Sequence, residues 1–233
     1  MLPVAILAGG LGTRLQPLTE AIPKALVEVR GEPFLGHQLR LLRHNGIVRV
    51  VLCLGHLGEQ IEQFAGDGKR FDLNIEYSWD SSRGSSVLLG TAGAVRKALP
   101  LLGEAFFVLY GDSYLPCSYA SVQQAFEASG KAALMTVFHN EGRWDSSNVE
   151  FAGGRILAYN KHQPNTRMQH IDYGLGVFRS EAFSRYGEAD LAALYQALLR
   201  NGELAGHEVF ERFYEIGSHA GLEELGKRIG AVD

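Results

Sequence analysis

Along the first 140 residues, short runs of apolar side chains alternate with segments in which apolar residues recur every three or four positions. The short runs are rich in Val, Ile, Leu and aromatic residues, which is typical of buried strands. They predict strands at residues 4–8, 48–54, 73–78, 106–110 and 132–138. The segments between them predict helices at residues 34–45, 59–64, 91–98 and 119–129. This alternation favours an α/β fold, a Rossmann-like and mainly parallel sheet with helices on both faces.

Beyond residue 140 the pattern changes to shorter apolar runs joined by polar turns. No linker rich in Pro, Gly or Ser and no internal repeat divides the sequence. We therefore expect a single domain over residues 1–233, with a small lobe from residues 141–233 added to the part formed by residues 1–140. The elements predicted in the lobe are strands at 148–151, 155–160, 170–178 and 212–216 and amphipathic helices at 190–200 and 219–229.

The composition narrows the classes of protein to consider. With 233 residues, 46% of them apolar and 21% charged, the chain is long enough to bury a substantial core. A net charge of −4 argues against a general nucleic-acid-binding protein. No apolar run approaches the ~20 residues that span a bilayer, and the first residues lack a basic signal region. We therefore expect a cytoplasmic protein that associates with neither nucleic acid nor membrane.

A glycine-rich loop after the first predicted strand carries the strongest chemical signal in the sequence. Three glycines in four positions let backbone N–H groups approach an anion without an intervening Cβ. Arg14 offers a planar fork to phosphate oxygens and Lys24 a compact charge, which suits a departing pyrophosphate. The loop therefore predicts a triphosphate site, and the alternative is a tight turn with two solvated cations. The candidate residues are Leu7, Ala8, Gly9, Gly10, Gly12, Thr13, Arg14 and Lys24.

Two common phosphate-binding motifs do not fit the spacing of this loop. A dinucleotide-binding fingerprint requires GxGxxG, and Leu15 stands where its third glycine would be. A P-loop requires GxxxxGK[ST], whereas Pro23 precedes Lys24 here. The spacing thus argues against a nucleotide-binding oxidoreductase and against a P-loop enzyme.

A carboxylate follows the fourth predicted strand, at Asp112 within Gly111-Asp112-Ser113. Because parallel strands place their carboxyl ends at one edge of a sheet, we expect Asp112 to face the glycine loop. Mg²⁺ prefers a few protein oxygens and keeps phosphate and water as its other ligands. Asp112 is therefore predicted to bind Mg²⁺, and the alternative is an ordinary Asp-Ser turn.

The run from Gly9 to Thr19, Gly-Gly-x-Gly-Thr-Arg-Leu-x-Pro-Leu-Thr, with the later Pro-Lys pair, resembles the opening signature of the sugar nucleotidyltransferases. These enzymes include glucose-1-phosphate thymidylyltransferases and the guanylyltransferases of mannose and heptose 1-phosphates. The resemblance implies the nucleotide-diphospho-sugar transferase fold, with a nucleoside triphosphate and a sugar 1-phosphate as substrates. It also implies that residues 1–140 bind mainly the nucleotide and that residues 141–233 bind mainly the sugar phosphate.

The resemblance continues into the second half of the chain. Glu215, within Tyr-Glu-Ile-Gly-Ser, occupies the place of the family's second metal carboxylate, and the alternative is an ordinary strand-end carboxylate. Lys161 matches the Lys of a Glu-Lys motif and is implied to contact the phosphate of the acceptor. This part of the chain departs most from the family, because Asn replaces Gly at 148, Asn replaces Glu at 160 and Asp replaces Asn at 172. The sugar-phosphate-binding residues implied are Asn148, Asn160, Lys161, Asp172 and Gly174.

The segment Leu-Gly-Thr-Ala-Gly at residues 89–93 resembles one that is common in guanylyltransferases of mannose or heptose type. The resemblance implies that backbone groups of Gly90 and Thr91 read the base, with Thr91 as a cap of the following helix. The thymidylyl and glucose uridylyl branches often carry a Gln shortly before this segment, where this chain has Arg-Gly-Ser-Ser at 83–86. The sequence therefore favours GTP, and residues 82–86 are a candidate flap over the base.

Together these features imply Mg²⁺-dependent transfer of a nucleoside monophosphate to a sugar 1-phosphate, with release of pyrophosphate. A phosphate monoester is already nucleophilic at neutral pH, so positioning and charge stabilisation suffice for catalysis. The alternative is a catalytically silent domain on the same fold that senses nucleotides or sugar nucleotides. That alternative predicts the loss of Arg14, Lys24 or Asp112, and all three are present. The sequence leaves the oligomeric state open between a monomer and a homodimer.

Overall fold

A nine-stranded sheet forms the centre of the computed structural model, which describes residues 1–80 and 89–230. Within these residues, none of the helices combines the length and the apolar character needed to cross a membrane. The strands are β1 Val4–Leu7, β2 Glu28–Val29, β3 Glu32–Pro33, β4 Arg49–Leu54, β5 Asn74–Trp79, β6 Ala105–Tyr110, β7 Ser113–Tyr114, β8 Ala133–His139, β9 Val149–Ala152, β10 Arg155–Tyr159, β11 His170–Arg179, β12 Leu204–Val209 and β13 Tyr214–Glu215. The helices are α1 Phe34–His44, α2 Gly58–Ala65, α3 Thr91–Leu102, α4 Tyr119–Ser129, α5 Ser180–Arg185, α6 Leu191–Arg200 and α7 His219–Ile229.

The large sheet has the strand order β10-β9-β11-β6-β1-β4-β5, and β8 joins β11 to β12. The four strands β6, β1, β4 and β5 are parallel, with Val4 of β1 opposite Val50 and Phe107. β11 runs antiparallel to β6 and makes the sheet mixed. The carboxyl ends of the four parallel strands therefore meet at one edge, where open α/β sheets bind their ligands.

Helices cover both faces of the sheet because its strands bury side chains on both sides. On β1, Val4 and Ile6 belong to a core shared with α1, α2 and α4, whereas Ala5 belongs to a core shared with α3, α5 and α6. All three residues are fully buried. Strands buried on both sides need continuous apolar runs, which explains why these strands could be predicted from the sequence. A third, smaller core joins α7 to Phe34 and Ile216.

The predicted α/β fold is confirmed, with some differences in its second half. The strand expected at 212–216 is only the two-residue β13, and α5 and β12 were missed. Gly206 interrupts the apolar pattern of β12 for a steric reason. A Cβ at Gly206 would lie 2.7 Å from the ring of Phe151. The packing between strands thus selects a residue that local propensity would place outside a strand.

Candidate active site

A cavity of about 350 Å³ opens at the carboxyl ends of the parallel strands. Its wall is formed by the loop after β1, the start of α3 and the turn after β6. All residues predicted to bind the nucleotide or to act in catalysis lie in this wall. They are Leu7, Ala8, Gly9, Gly10, Gly12, Thr13, Arg14, Lys24, Gly90, Thr91 and Asp112.

Close backbone packing explains two of the glycines in the loop after β1. A Cβ at Gly9 would lie 3.0 Å from the backbone N of Gly55, at the end of β4. Gly12 has a φ of 63°, which favours glycine, and its carbonyl oxygen accepts a 2.8 Å hydrogen bond from the Thr19 hydroxyl. These contacts hold the loop backbone against the sheet edge.

Lys24 and Asp112 meet at the cavity wall. Lys24 Nζ donates a hydrogen bond to Asp112 Oδ2 at 2.5 Å, and both side chains are partly exposed. Ser113 Oγ donates to the other carboxylate oxygen at 3.3 Å. The fold thus puts the predicted phosphate-binding cation and the predicted metal ligand in direct contact.

A two-stranded ribbon brings the second predicted carboxylate to the same place. β13 pairs antiparallel with β7, so that Glu215 stands opposite Ser113. The ribbon continues into a 3.0 Å hydrogen bond from Ile216 N to the carbonyl oxygen of Asp112. Neither two-residue strand has a detectable period in the sequence, so this pairing could not be predicted.

The pKa of Glu215 is shifted by burial and by the charges around it. Burial raises the pKa of Glu215 above its ordinary value of 4.5, and the charges of Asp112 and Asp145 raise it further. The charges of Lys24 and Arg14 act in the opposite direction. Glu215 therefore interacts with both the cations of the loop and the carboxylate of Asp112.

Gly217, just after β13, allows the ribbon to approach the two cations. A Cβ at Gly217 would lie 3.1 Å from Nη2 of Arg14 and 3.4 Å from Nζ of Lys24. Sequence reasoning treated Gly217 only as part of a motif. Its role as a contact surface for both cations needs the three-dimensional arrangement.

Asp112 and Glu215 form a donor set that fits Mg²⁺. Among residues 1–80 and 89–230, no group of three or more His, Cys, Asp or Glu side chains is arranged to hold a metal ion. A complete protein cage of the kind built for Zn²⁺ is therefore not present in the described part. Mg²⁺ usually takes one or two carboxylates and completes its shell with water and substrate phosphates, and two adjacent carboxylates beside a phosphate loop suit that pattern.

Four of the predicted sugar-side residues form one hydrogen-bonded cluster: Asn148, Asn160, Asp172 and Gly174. Asn148 Oδ1 accepts a hydrogen bond from Asp172 N at 2.9 Å, and the Asn148 carbonyl accepts one from Asn160 N at 2.9 Å. Asp172 Oδ1 accepts from Gly174 N at 3.0 Å. Asn160 Oδ1 accepts from two backbone N–H groups that follow it, so this oxygen already has local partners.

Lys161 connects the sugar-side cluster with the cavity. Its Nζ lies 5.8 Å from the ring centroid of Tyr110, which lines the cavity wall. Burial raises the pKa of Asp172, and the nearby charge of Lys161 counteracts part of this effect. Neither Lys161, the cluster nor Glu215 lines the 350 Å³ cavity itself. Lys161 is close to Tyr110 of the cavity wall, and Glu215 stands opposite Ser113, the neighbour of Asp112.

Sequence reasoning missed two carboxylates of the cavity, Asp80 and Asp190. Asp80 follows β5 and is only 9% exposed, and its Oδ2 lies 3.4 Å from the place of a Cβ on Gly9. Burial raises the pKa of Asp80, while the Leu89 N–H and the charge of Lys97 lower it. The signal that located Asp112, a carboxylate at the end of a parallel strand, applies to Asp80 as well.

The expected capping role of Thr91 is wrong. The N-cap of α3 is Gly90, which has no side chain to form a capping bond, and the carbonyl of Ala189 accepts from the N–H groups of Ala92 and Gly93. The Thr91 hydroxyl accepts a 2.8 Å hydrogen bond from Leu191 N, at the start of α6. The first turns of α3 and α6 are thus hydrogen-bonded to each other. The expected flap at 82–86, with the Arg-Gly-Ser-Ser segment, lies outside the described residues.

Comparison with known proteins gives consistent matches. A family model described as nucleotidyl transferase matches residues 4–148. The N-acetylmuramate alpha-1-phosphate uridylyltransferase of Neisseria meningitidis is 31% identical over 97% of both chains. A mannose-1-phosphate guanyltransferase of Hypocrea jecorina is 31% identical over 66% of this chain, which spans 47% of that protein.

Solved structures share the fold at lower identity. A putative glucose-1-phosphate thymidylyltransferase of Bacillus anthracis superposes with a TM-score of 0.81 at 20% identity, over 98% of this chain and 95% of its own. HddC of Yersinia pseudotuberculosis, complexed with GMP-PN, gives 0.78 at 19% identity, over 98% of this chain and all of its own. At this level of identity the likeness extends to the fold.

Proposed function

The chain belongs to the nucleotidyl transferase family and is a sugar-1-phosphate nucleotidyltransferase, and we propose that it uses GTP, Mg²⁺ and a hexose or heptose 1-phosphate. In this reaction an oxygen of the sugar phosphate forms a bond to the α-phosphorus of GTP. The bond from the α-phosphorus to the β-phosphate oxygen breaks, and that oxygen leaves with pyrophosphate. The products are a GDP-sugar and pyrophosphate.

The observation that carries the proposal is the convergence of two cations and two carboxylates at one glycine loop. Lys24 Nζ contacts Asp112, and the Arg14 guanidinium lies beside Gly217, two residues after Glu215. The charges of Asp112, Lys24 and Arg14 all act on Glu215. Such a set matches the charges of a triphosphate and its metal.

In the proposed mechanism, the loop and its cations bind the part of the substrate that leaves. Backbone N–H groups around Gly10 and Gly12 face the β- and γ-phosphates, and Arg14 and Lys24 stabilise the negative charge that grows on pyrophosphate. The sugar phosphate needs no general base, because its oxygen is already ionised at neutral pH. Positioning and charge stabilisation are therefore the main contributions of the chain.

Asp112 and Glu215 are the residues that would hold Mg²⁺. When bound, the ion neutralises charge on the reacting phosphates and orients them for in-line displacement. On the acceptor side, we assign Lys161 to the phosphate and Asp172 to a sugar hydroxyl, with Asn148, Asn160 and Gly174 shaping the pocket. The hydrogen bonds within this cluster and the short distance between Lys161 and Tyr110 of the cavity wall support this assignment.

Asp80 supports guanine as the base. Guanine presents two adjacent donors, N1–H and N2–H₂, which a carboxylate accepts side by side. Uracil presents only one donor, N3–H, and a carbonyl oxygen stands on each side of it. A carboxylate that accepts from N3–H would be repelled by these two oxygens. Asp80 is a buried carboxylate in the cavity wall near Gly9, away from the Asp112 end. The proposal assigns it to the Watson–Crick edge of guanine.

A second candidate is uridylyl transfer to an amino-sugar 1-phosphate. It is favoured by the Neisseria relative, which matches this chain over 97% of both lengths and is a uridylyltransferase. The guanyltransferase of Hypocrea jecorina is matched over a smaller share of its length.

Two further properties stay predictions: the location of the protein in the cytoplasm, and its oligomeric state as a monomer or a homodimer.

The test is pyrophosphate release from GTP, UTP, dTTP, CTP and ATP, each with mannose, heptose, glucose and N-acetylated sugar 1-phosphates, with and without Mg²⁺. We expect release with GTP, only in the presence of a hexose or heptose 1-phosphate and Mg²⁺. A requirement for UTP would favour the second candidate. Nucleotide binding without release for any pair would favour the silent sensing domain.

The role of Asp80 is tested with altered bases. Asp80→Asn should lower kcat/KM for GTP about 10- to 100-fold, the usual range for a hydrogen bond to a charged group. It should raise kcat/KM for XTP, whose C2 carbonyl accepts from an amide. Asp190→Asn removes another carboxylate of the same cavity and should leave the order of bases unchanged. An Asp80→Asn variant that still prefers GTP to XTP as strongly as the parent chain contradicts the assignment.

A further inference from the structure

The turn that carries Asp112 is fixed by backbone hydrogen bonds. It connects β6 to β7 through Gly111 and Asp112 only. Ile216 N donates to the Asp112 carbonyl at 3.0 Å, and Gly111 N donates to the Leu7 carbonyl at 2.9 Å. The carbonyls of Tyr110 and Ser113, on either side of the turn, both accept hydrogen bonds from α1.

One side chain of α1 binds both of those carbonyls. Gln38 Nε2 donates to Tyr110 O at 3.0 Å and to Ser113 O at 2.8 Å. Because both partners are acceptors, the orientation of the amide is determined: its nitrogen faces the turn. Gln38 is 2% exposed, and its Oε1 has no hydrogen-bond partner among the described residues. A buried acceptor without a partner costs free energy, so the amide is destabilising on its oxygen side. The two hydrogen bonds that its nitrogen donates offset this cost.

The rest of α1 is a rigid base for this amide. Leu35, Leu39 and Leu42 are fully buried in the core between α1 and the sheet. Gln38 lies on the same side of the helix and reaches the turn from a fixed backbone. A functional group is held accurately when the side chains around it are themselves locked by packing.

We propose that Gln38 is a positioning residue, which fixes the turn between β6 and β7 so that the Asp112 carboxylate faces the reacting phosphates. The inference rests on the proposed function, because it assigns Asp112 to Mg²⁺. Gln38 itself does not line the cavity, and neither of the residues that accept its hydrogen bonds is a predicted metal ligand. It acts by closing the turn from the α1 side, while Ile216 closes it from the β13 side.

Two variants separate positioning from simple stability. Gln38→Met keeps the length of the side chain and removes both donors. Gln38→Asn keeps the amide on a shorter stem, which reaches one carbonyl at most. The matched control is Asn45→Ala at the C-terminal end of α1. It also removes two local hydrogen bonds, to Leu41 O and from Tyr119 N, and Asn45 has no contact with the turn.

We expect Gln38→Met to lower kcat and to raise the half-saturating Mg²⁺ concentration, each about 10- to 100-fold, as is usual for groups that orient metal ligands. Gln38→Asn should fall between Gln38→Met and the parent chain. Binding of GTP without Mg²⁺, measured by calorimetry, should change less than twofold, whereas the strengthening of GTP binding by Mg²⁺ should be reduced. Asn45→Ala should lower the melting temperature with kcat and Mg²⁺ dependence unchanged.

The proposal is overturned if folded Gln38→Met has the kcat and the Mg²⁺ dependence of the parent chain. It is also overturned if Asn45→Ala loses as much activity as Gln38→Met at an equal loss of melting temperature. If Gln38→Met does not fold, Gln38→Asn decides by the same two criteria. Failure of the proposed function is recognised separately, because the parent chain itself would then show no turnover and no effect of Mg²⁺ on GTP binding.

Discussion

Lys24 and Asp112 come from distant parts of the sequence and form a 2.5 Å contact at the cavity wall. Each charge is partly desolvated and is balanced by the other and by its neighbours, Arg14 and Glu215. In such a group, a change of one charge alters the electrostatic environment of the others. A substitution that removes one of these charges is therefore expected to affect the whole group.

Asp112→Asn keeps the shape of the side chain and removes its charge. We expect kcat to fall about 100-fold or more, the size of effect seen when a group that stabilises a transition state is lost. The melting temperature should change little, since Asn still accepts a hydrogen bond from Lys24. Single-turnover kinetics with Mg²⁺ and a thermal melt measure the two effects. Near-normal turnover would contradict the assignment of Asp112 to the metal.

Lys161→Ala should act on the acceptor alone. Loss of a charged hydrogen-bond donor to phosphate is expected to raise KM for the sugar 1-phosphate roughly 10- to 100-fold, with KM for the nucleotide unchanged. Lys69→Ala is a suitable control, because Lys69 is exposed and pairs with Asp67 elsewhere on the surface. A change confined to KM for the nucleotide would contradict the assignment of Lys161 to the phosphate of the acceptor.

Asp172→Asn should make stability less dependent on pH. Burial raises the pKa of Asp172 above 3.8, so folding disfavours its ionised form. The free energy of unfolding therefore falls as pH rises from about 3.8 through the raised pKa of the folded state. Asn carries no charge, so the variant should be stabilised relative to the parent chain at pH 8 and show a smaller difference at pH 4. Urea denaturation at both values checks this, and the opposite trend would contradict it.

At the scale of elements, the short pieces of the fold arrange the site. Three 3₁₀ turns, Thr13–Leu15, Leu18–Glu20 and Lys24–Leu26, lie between β1 and β2 and bring Arg14 and Lys24 to the cavity. The β7–β13 ribbon brings Glu215 and Gly217 to the same point. Long elements give a periodic signal in the sequence, but such short ones do not. Their residues could be anticipated from a motif, and their contacts could not.

Gly217→Ala tests the fit of this ribbon to the cations. The added Cβ would stand 3.1 Å from Nη2 of Arg14, closer than most real contacts, so the guanidinium must move. We expect kcat to fall about tenfold, since a displaced charge stabilises the leaving pyrophosphate less well. The circular dichroism spectrum should be unchanged. Gly187→Ala, where a Cβ meets nothing within 4 Å, is the control. Equal kcat values for the two variants would contradict the role of Gly217 in positioning the Arg14 guanidinium.

At the scale of the molecule, the strand order determines which residues meet. The parallel group β6-β1-β4-β5 places the ends of four strands side by side, with Asp112 after β6, the glycine loop after β1 and Asp80 after β5. The α/β class and the binding edge follow from apolar runs and their alternation, and the family follows from the opening signature. The order of the strands does not follow from either. The place of Asp80 at the end of a strand could therefore be anticipated from the sequence, but its approach to the glycine loop could not.

The division into a nucleotide part and a sugar part stays a prediction. The sheet itself is continuous across it, since β8 from the first part pairs with β11 and β12 from the second. Tyr110 belongs to the junction, since it lines the cavity and its ring centroid lies 5.8 Å from Nζ of Lys161. Burial and the charges of surrounding carboxylates, Asp172 and Asp112 among them, raise the pKa of Tyr110 and keep its hydroxyl neutral.

The most direct measurement follows labelled phosphate from the nucleoside triphosphate to the products, with Mg²⁺ and the pair of substrates that supports turnover. With label at the α-phosphate, the account predicts that all transferred label appears in the nucleotide sugar and none in pyrophosphate. With label at the γ-phosphate, it predicts label in pyrophosphate alone. Label from the γ-position in a sugar bisphosphate or in free phosphate would mean phosphoryl transfer or hydrolysis, and would contradict the central claim.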